Sequence, residues 1–355
     1  MISNLPIGGE MEIYLKDFTP SESESVWPNF AGYEQIRCDT GRTALKLALH
    51  DWQQRTNGFG RIWVPAYLCP SVLKVIRSQG ILFEEYIDLP GTQAVFFPPK
   101  PENDDMVLVV HYFGKLNSPI LGWVADNPER RWRILEDCVQ SPYTEGVGLT
   151  GEYAITSLRK WWPAPDGATL YTIEPLLSEP ALASPDEIFI NQRLIAKIIR
   201  RTVNEEQYYL ELIKLSEMKL DTSQPRRCSF ISEYLLSRID KAVALKHRLS
   251  NWHYIHSRLY DVIEKSSMVS ALYDGLLVGE VPLTYPILVG NGKRDKLRSW
   301  LADQQIYCPI HWRLESSAEE ASKCLSEKMM SLPIDQRYNK EDMDRIIAAL
   351  ATYRY

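Results

Sequence analysis

Two stretches decide how this chain folds: Arg133-Ile134-Leu135-Glu136-Asp137-Cys138-Val139-Gln140, and Tyr153-Ala154-Ile155-Thr156-Ser157-Leu158-Arg159-Lys160-Trp161-Trp162-Pro163-Ala164-Pro165-Asp166-Gly167. In each, a short apolar run is followed at once by polar residues. The first run leads into Asp137 and Gln140, the second into Ser157 and Lys160, and a Pro/Gly turn closes the second. Runs of this length, bounded by turn formers, read as short buried strands. Polar groups at their C-terminal ends belong where open α/β sheets collect functional side chains, in the loops beyond the strands.

Outward from these stretches the same alternation repeats. Arg61–Pro65, Leu82–Asp88, Met106–Val110, Trp132–Glu136, Tyr153–Leu158 and Ala168–Ile173 read as strands. Between them lie helix-length segments. Leu45, Ala48, Leu49 and Trp52 fall on one helical face, with Asp39 or Thr40 as N-cap, and Pro70–Gln79 reads as a helix ended by Gly80. Strands alternating with helices predict a largely parallel sheet covered on both faces, a three-layer α/β/α domain. A long amphipathic helix is expected from Asp186 to Leu220, with Arg200 and Arg201 on a solvated face, and another from Ser232 to Glu264. Beyond Val281, strands at Tyr285–Val289 and Ile306–Pro309 with helices at Lys293–Gln304 and Lys340–Tyr353 predict a small α/β domain. The expected division is an N-terminal arm (1–30) with little core of its own and a polar Ser21–Ser25 run, a large domain (31–235), and a long helix with a small C-terminal domain (236–355).

Bulk properties narrow the function. The chain has 355 residues, 45% hydrophobic and 24% charged, with a net charge of −6. That composition is globular, and the acidic balance argues against nucleic-acid binding. Six scattered cysteines without a C-x-x-C pair fit neither a zinc site nor a disulfide framework, so no metal is expected. No apolar run approaches the roughly 20 residues of a membrane span, and the N-terminus lacks a signal-peptide pattern. A cytoplasmic protein is the expectation.

Three segments can carry chemistry. Asp137 puts a carboxylate at a buried strand end, which is costly unless it meets a cation or donors; it serves either a bound ligand or the loop that follows. Lys160 stands between a strand end and two tryptophans, as an active amine or as an exposed loop lysine. Cys38-Asp39-Thr40-Gly41-Arg42-Thr43-Ala44-Leu45 opens a helix whose free N–H groups suit an anion, or is a plain N-cap.

Taken in order, Gly41-Arg42-Thr43-Ala44, Trp63-Val64-Pro65-Ala66-Tyr67, Val110-His111-Tyr112-Phe113-Gly114, Glu136-Asp137-x-x-Gln140 and Ser157-x-x-Lys160 make a succession. With Cys308-Pro309-Ile310-His311-Trp312 and Leu332–Tyr338, it resembles the DegT/DnrJ/EryC1/StrS sugar aminotransferases over roughly residues 33–350. The resemblance implies the fold of pyridoxal 5'-phosphate (PLP)-dependent transferases of the aspartate aminotransferase type. It implies an amino group moved from glutamate to a keto sugar nucleotide, in polysaccharide or secondary-metabolite synthesis, by a homodimer. Lys160 would be the Schiff-base lysine and proton carrier, and Asp137 the partner of the pyridine nitrogen. Gln140 would lie on the ring's hydroxyl side, and His111 near ring or substrate. Gly41, Arg42, Thr43 and Ser157 would hold the phosphate. Three positions depart from the family's pattern. Cys69 stands where an aromatic ring usually covers the cofactor, leaving Tyr67 for that task. Ser157 and Lys160 are closer together than usual. Cys228-Ser229-Phe230, beside Arg226 and Arg227, replaces a segment that reaches the partner's phosphate. The rival expectations are another PLP reaction, such as sugar dehydration, and a degenerate member that binds a ligand or partner without transamination.

Overall fold

The five residues Met106–Val110 are all buried, and the reason is visible in where they point. Met106, Leu108 and Val110 enter one apolar cluster with Leu45, Ala48, Leu49 and Trp52 of the first helix. Val107 and Val109 enter another, with Ile120, Val124 and Trp132. A strand with both faces covered must be apolar throughout, which is why this run lacks polar alternation.

This architecture comes from a computed structural model that describes residues 5–13, 24–91, 95–202, 206–220, 224–263, 268–315 and 319–353. Most of the Ser21–Ser25 run, and Glu264, lie outside the described residues. The strands are β1 (Ile7–Gly8), β2 (Glu34–Cys38), β3 (Ile62–Pro65), β4 (Phe83–Leu89), β5 (Val95–Phe97), β6 (Met106–Val110), β7 (Arg133–Asp137), β8 (Tyr153–Ser157), β9 (Ala168–Thr172), β10 (Val269–Ala271), β11 (Tyr285–Val289), β12 (Ile306–Tyr307) and β13 (Met329–Leu332). The helices are α1 (Gly41–Arg55), α2 (Pro70–Ser78), α3 (Ser118–Ala125), α4 (Glu187–Thr202), α5 (Glu206–Leu220), α6 (Phe230–Leu236), α7 (Lys241–Ile263), α8 (Arg294–Asp303), α9 (Glu320–Lys328) and α10 (Lys340–Thr352).

The main sheet runs β2-β9-β8-β7-β6-β3-β4-β5. Its centre, β8 through β4, is parallel; β9 and β5 run against their neighbours. A second, antiparallel sheet, β10-β11-β13, packs with α7, α8 and α10 into a separate core around Ile255, Ile287, Leu297, Met330 and Ile346. Among the described residues no helix is long and apolar enough to cross a membrane.

Ile7 of the arm pairs in parallel with Ile306 and is fully buried in the small domain's cluster, so the arm packs on a core other than its own. Three expectations change. The helix expected from Asp186 to Leu220 is two. Phe189, Ile190 and Ala196 of α4 fold back onto Tyr209, Leu212 and Leu220 of α5, covering apolar faces that one straight helix would leave open. The second long helix divides likewise into α6 and α7. Arg200 is not solvated: it is 4% exposed and donates to the carbonyl of Gly8 at 2.7 Å.

Candidate active site

Side-chain alternation along the central strands builds the site. Leu135 of β7 and Tyr153 and Ile155 of β8 belong to the cluster packed under α1. Two residues on from Leu135 and Ile155, Asp137 and Ser157 emerge on that same face at the C-terminal edge of the sheet. The first turn of α1 meets them there. A Cβ placed on Gly41 would lie 3.5 Å from Ser157 Cβ and 3.7 Å from a methyl of Val139.

At one end stands Asp137, 8% exposed, with Oδ1 accepting from the Val139 amide at 3.0 Å. Burial raises its pKa, against the pull of that amide and of the charges of Lys160 and His111. Gln140 Oε1 accepts from the Phe113 amide at 2.8 Å, while its Nε2 is buried with no hydrogen-bond partner. Glu136 faces the other way and is fully buried. Its oxygens accept from His111 Nε2 (2.8 Å) and from the amides of Gly148 (2.9 Å), Thr150 (2.7 Å) and Gly151 (2.7 Å). Burial alone would raise its pKa; the His111 bond and these amides bring it below the usual value. His111 Nδ1 accepts from the Asn117 amide at 3.1 Å, so Nε2 carries the proton given to Glu136. With both nitrogens engaged and no exposure, His111 ties β6 to β7 behind the cleft. His111, Glu136 and Cys138 bring donor atoms within 4.8 Å of one another, but both His111 nitrogens and both Glu136 oxygens are already hydrogen-bonded.

At the other end, Thr40 caps α1 by accepting from the Thr43 amide at 3.3 Å. Ser157 is 3% exposed, and no hydrogen bond to its hydroxyl occurs among the described residues. A 3₁₀ turn, Leu158–Lys160, carries the chain from β8 to Lys160. Lys160 is exposed, and its charge acts on both Asp137 and His311, which places it between the sheet edge and the small domain. Arg42 and Arg159 both turn to Glu217 of α5, at 3.4 and 2.9 Å. Arg193 joins Glu217 to Glu10 of the arm, and Lys197 reaches Glu10 at 3.2 Å. Burial raises the pKa of Glu217, but Arg159, Arg193 and Arg42 overcome it and draw it down to about 2.

The remaining expected residues take other places. Tyr67 is fully buried, donates to the His311 carbonyl, and packs 5.7 Å from Trp312, joining the large domain to the small one. Trp161 and Trp162 pack in a cluster with Trp27 and Leu236. Arg226 donates to Ser184 O at 2.7 Å within its own chain, and Arg227 is exposed. Sequence reasoning missed Glu217, Arg159 and Glu10, which carry no local signal. The sequence offers His311, with Trp312, either as a substrate contact or as a packed pair at a strand end. The His311 ring lies 5.9 Å from Phe113, donates to or accepts from Ser331 Oγ at 2.9 Å, and is pushed down to about 3 by burial and by Lys160.

A sheet with a parallel centre and two reversed strands, a helix start facing the strand ends, and Lys160 within electrostatic reach of the strand-end Asp137 frame one cleft, in a fold shared with solved aminotransferase structures. No protein-family model and no curated protein matches the sequence. Solved structures do match in shape. A Streptococcus pneumoniae protein described as a sugar aminotransferase, in its PMP form, superposes with a TM-score of 0.64 over 98% of this chain and 97% of its own, at 14% identity. A DegT DnrJ EryC1 StrS aminotransferase from Brucella abortus gives 0.57 over 90% and 86%, at 19% identity. The sugar aminotransferase CalS13 of Micromonospora echinospora gives 0.59 over 90% and 87%, at 14% identity.

Proposed function

We propose that this chain is a PLP-dependent aminotransferase that moves an amino group, with glutamate as donor, onto a keto sugar nucleotide or a related keto compound. The observation that carries the reading is Lys160 within electrostatic reach of Asp137, on the strand edge that faces the α1 N-terminus. The residues present fit the cofactor. Gln140 Nε2 is a buried donor without a partner, which a phenolic oxygen would satisfy. Ser157 and the free first-turn amides of α1 suit a phosphate.

When bound, pyridoxal phosphate supplies a ring that withdraws electrons from the substrate carbon, so that this carbon can lose and regain a proton. The chain's own groups do the rest. Asp137, ionised by a cation brought against it, pairs with the ring nitrogen. Gln140 orients the hydroxyl side. Gly41, Arg42, Thr43 and Ser157 hold the phosphate. Lys160 Nζ is the point of covalent attachment and then carries the proton at the substrate carbon. His111 positions rather than reacts, because Glu136 and Asn117 hold both its nitrogens. His311 stays neutral within electrostatic reach of Lys160.

We place the protein in the cytoplasm as a homodimer serving polysaccharide or secondary-metabolite synthesis. Arg227 is the arginine free to approach a partner's phosphate, since Arg226 is spent on Ser184. One observation favours a second reading, ligand binding without transfer: Glu217 already engages Arg42, the cation expected for the phosphate. Purified protein incubated with pyridoxal phosphate decides between them. Visible absorbance, a borohydride-fixed label on Lys160, and bleaching by glutamate support the transferase. Binding without bleaching by any amino donor supports the second reading, and a label on another lysine overturns the assignment of Lys160.

A further inference from the structure

A cavity of about 330 Å³ lies beside the chain at 112–119. Its wall includes Asp88, Asn117, Tyr112, Tyr273, Lys115 and Asp274, and none of Asp137, Gln140, Ser157 or Lys160. Phe113 adopts φ +58°, and its ring packs 5.9 Å from His311, whereas Tyr112 beside it lines the cavity.

Asp88, near the end of β4, is 3% exposed. Its Oδ2 accepts from Asn117 Nδ2 at 2.6 Å, and its Oδ1 accepts no hydrogen bond among the described residues. Asp88 is thus a mostly buried carboxylate with one oxygen committed to Asn117, and none of the groups given a catalytic role above makes use of it. The nearby cation does not serve it. Lys115 Nζ is committed to Glu280 and, at 3.0 Å, to the carbonyl of Gly275. With Lys115 neutralised by Glu280, the charges left on the wall are Asp88 and Asp274, both acidic. Burial pushes Asp88 up to about 6, against the Asn117 bond and the charge of His111, so a cation at Oδ1 would be welcome. Two tyrosine rings and the apolar walls of Leu89, Leu116 and Pro119 suit the body of a small cation better than a metal ion or an anion.

We propose that this cavity binds a small organic ammonium compound, its N–H on Asp88 Oδ1 and its apolar body against Tyr112 and Tyr273. The site is independent of the aminotransferase reading, since it shares no residue with the cofactor cleft. Titration calorimetry on the full chain tests it with N,N-dimethylbenzylamine and benzyl alcohol. The tertiary amine is protonated at neutral pH and forms no covalent adduct with a cofactor carbonyl. The amine should bind about tenfold or more tightly than the alcohol, the size of one charge-assisted hydrogen bond. Asp88→Asn should remove the preference. Ser118→Trp, at an exposed position on the cavity rim, should abolish binding of the amine with an unchanged melting temperature. Equal affinities for amine and alcohol, no binding of the amine, or amine binding that survives Ser118→Trp overturns the proposal.

Discussion

The two ends of the cleft are held by different forces. Around Asp137, Glu136 and Gln140 the partners are amides and one imidazole: the Val139, Phe113, Gly148, Thr150 and Gly151 amides and His111. Around Arg42 and Arg159 the partners are full charges brought from α5 and the N-terminal arm. Backbone donors are fixed by the local chain and need no charged side chain from elsewhere, so the first end changes little with salt. The second end depends on several ionised groups at once, and protonating any one of them weakens the rest.

The sharpest test of the charged end removes the amine proposed to hold the cofactor. Lys160→Ala should lose the visible absorbance of added pyridoxal phosphate entirely while the far-ultraviolet circular dichroism is unchanged; an unaltered band would dissociate Lys160 from the site. At the amide-held end, Asp137→Asn should keep the cofactor but slow amino transfer by ~10³-fold, because the ring then lacks the charge that holds its proton. Single-turnover absorbance with glutamate measures this, and a near-normal rate would leave Asp137 a loop cap. Glu136→Ala strands four buried donors, His111 Nε2 among them, and should cost about 3–5 kcal/mol in denaturant unfolding. A loss below that of a surface substitution would show that these donors do not hold that end.

Acid separates the two ends more gently. The folded pKa of Glu217 lies at about 2, below its ordinary 4.5. A carboxylate with a lowered pKa stabilises the fold while ionised, so its contribution is whole above pH 4.5 and fades as pH falls toward 2. Glu217→Gln should flatten the melting-temperature profile across that window, whereas Gln140→Leu should leave its slope alone. The smallest effect belongs to assembly: an Arg226/Arg227 double alanine variant should sediment as a dimer and bind pyridoxal phosphate only a fewfold more weakly. A cofactor-loaded monomer in the unsubstituted protein would remove the partner from the site.

Much of the amide-held end was legible because its causes are local. Met106–Val110 and Tyr285–Val289 were read to the residue, and Asp137 to its strand end, since a covered strand must be apolar and its last residue must face a loop. A cap at Asp39 or Thr40, which the structure resolves to Thr40, and the buried face of Leu45, Ala48, Leu49 and Trp52 follow from local spacing. β2 was harder: Glu34–Cys38 lies at the sheet's edge, mostly exposed, with no apolar run to announce it.

The sequence by itself thus determined the alternation of strands and helices, the polar groups at the strand ends, and the order in which they follow one another, because each depends on neighbours a few residues apart. Only the tertiary structure decided what holds the charged end. Arg42 meets Glu217 across 175 residues and Arg193 meets Glu10 across 183. It was also the fold-back of α5 on α4, absent from any local pattern, that set Glu217 against Arg42, the residue expected at a phosphate. Hydrophobic periodicity records which face of an element is buried, but an ion pair records only a meeting of two side chains, and that meeting exists once the chain has folded.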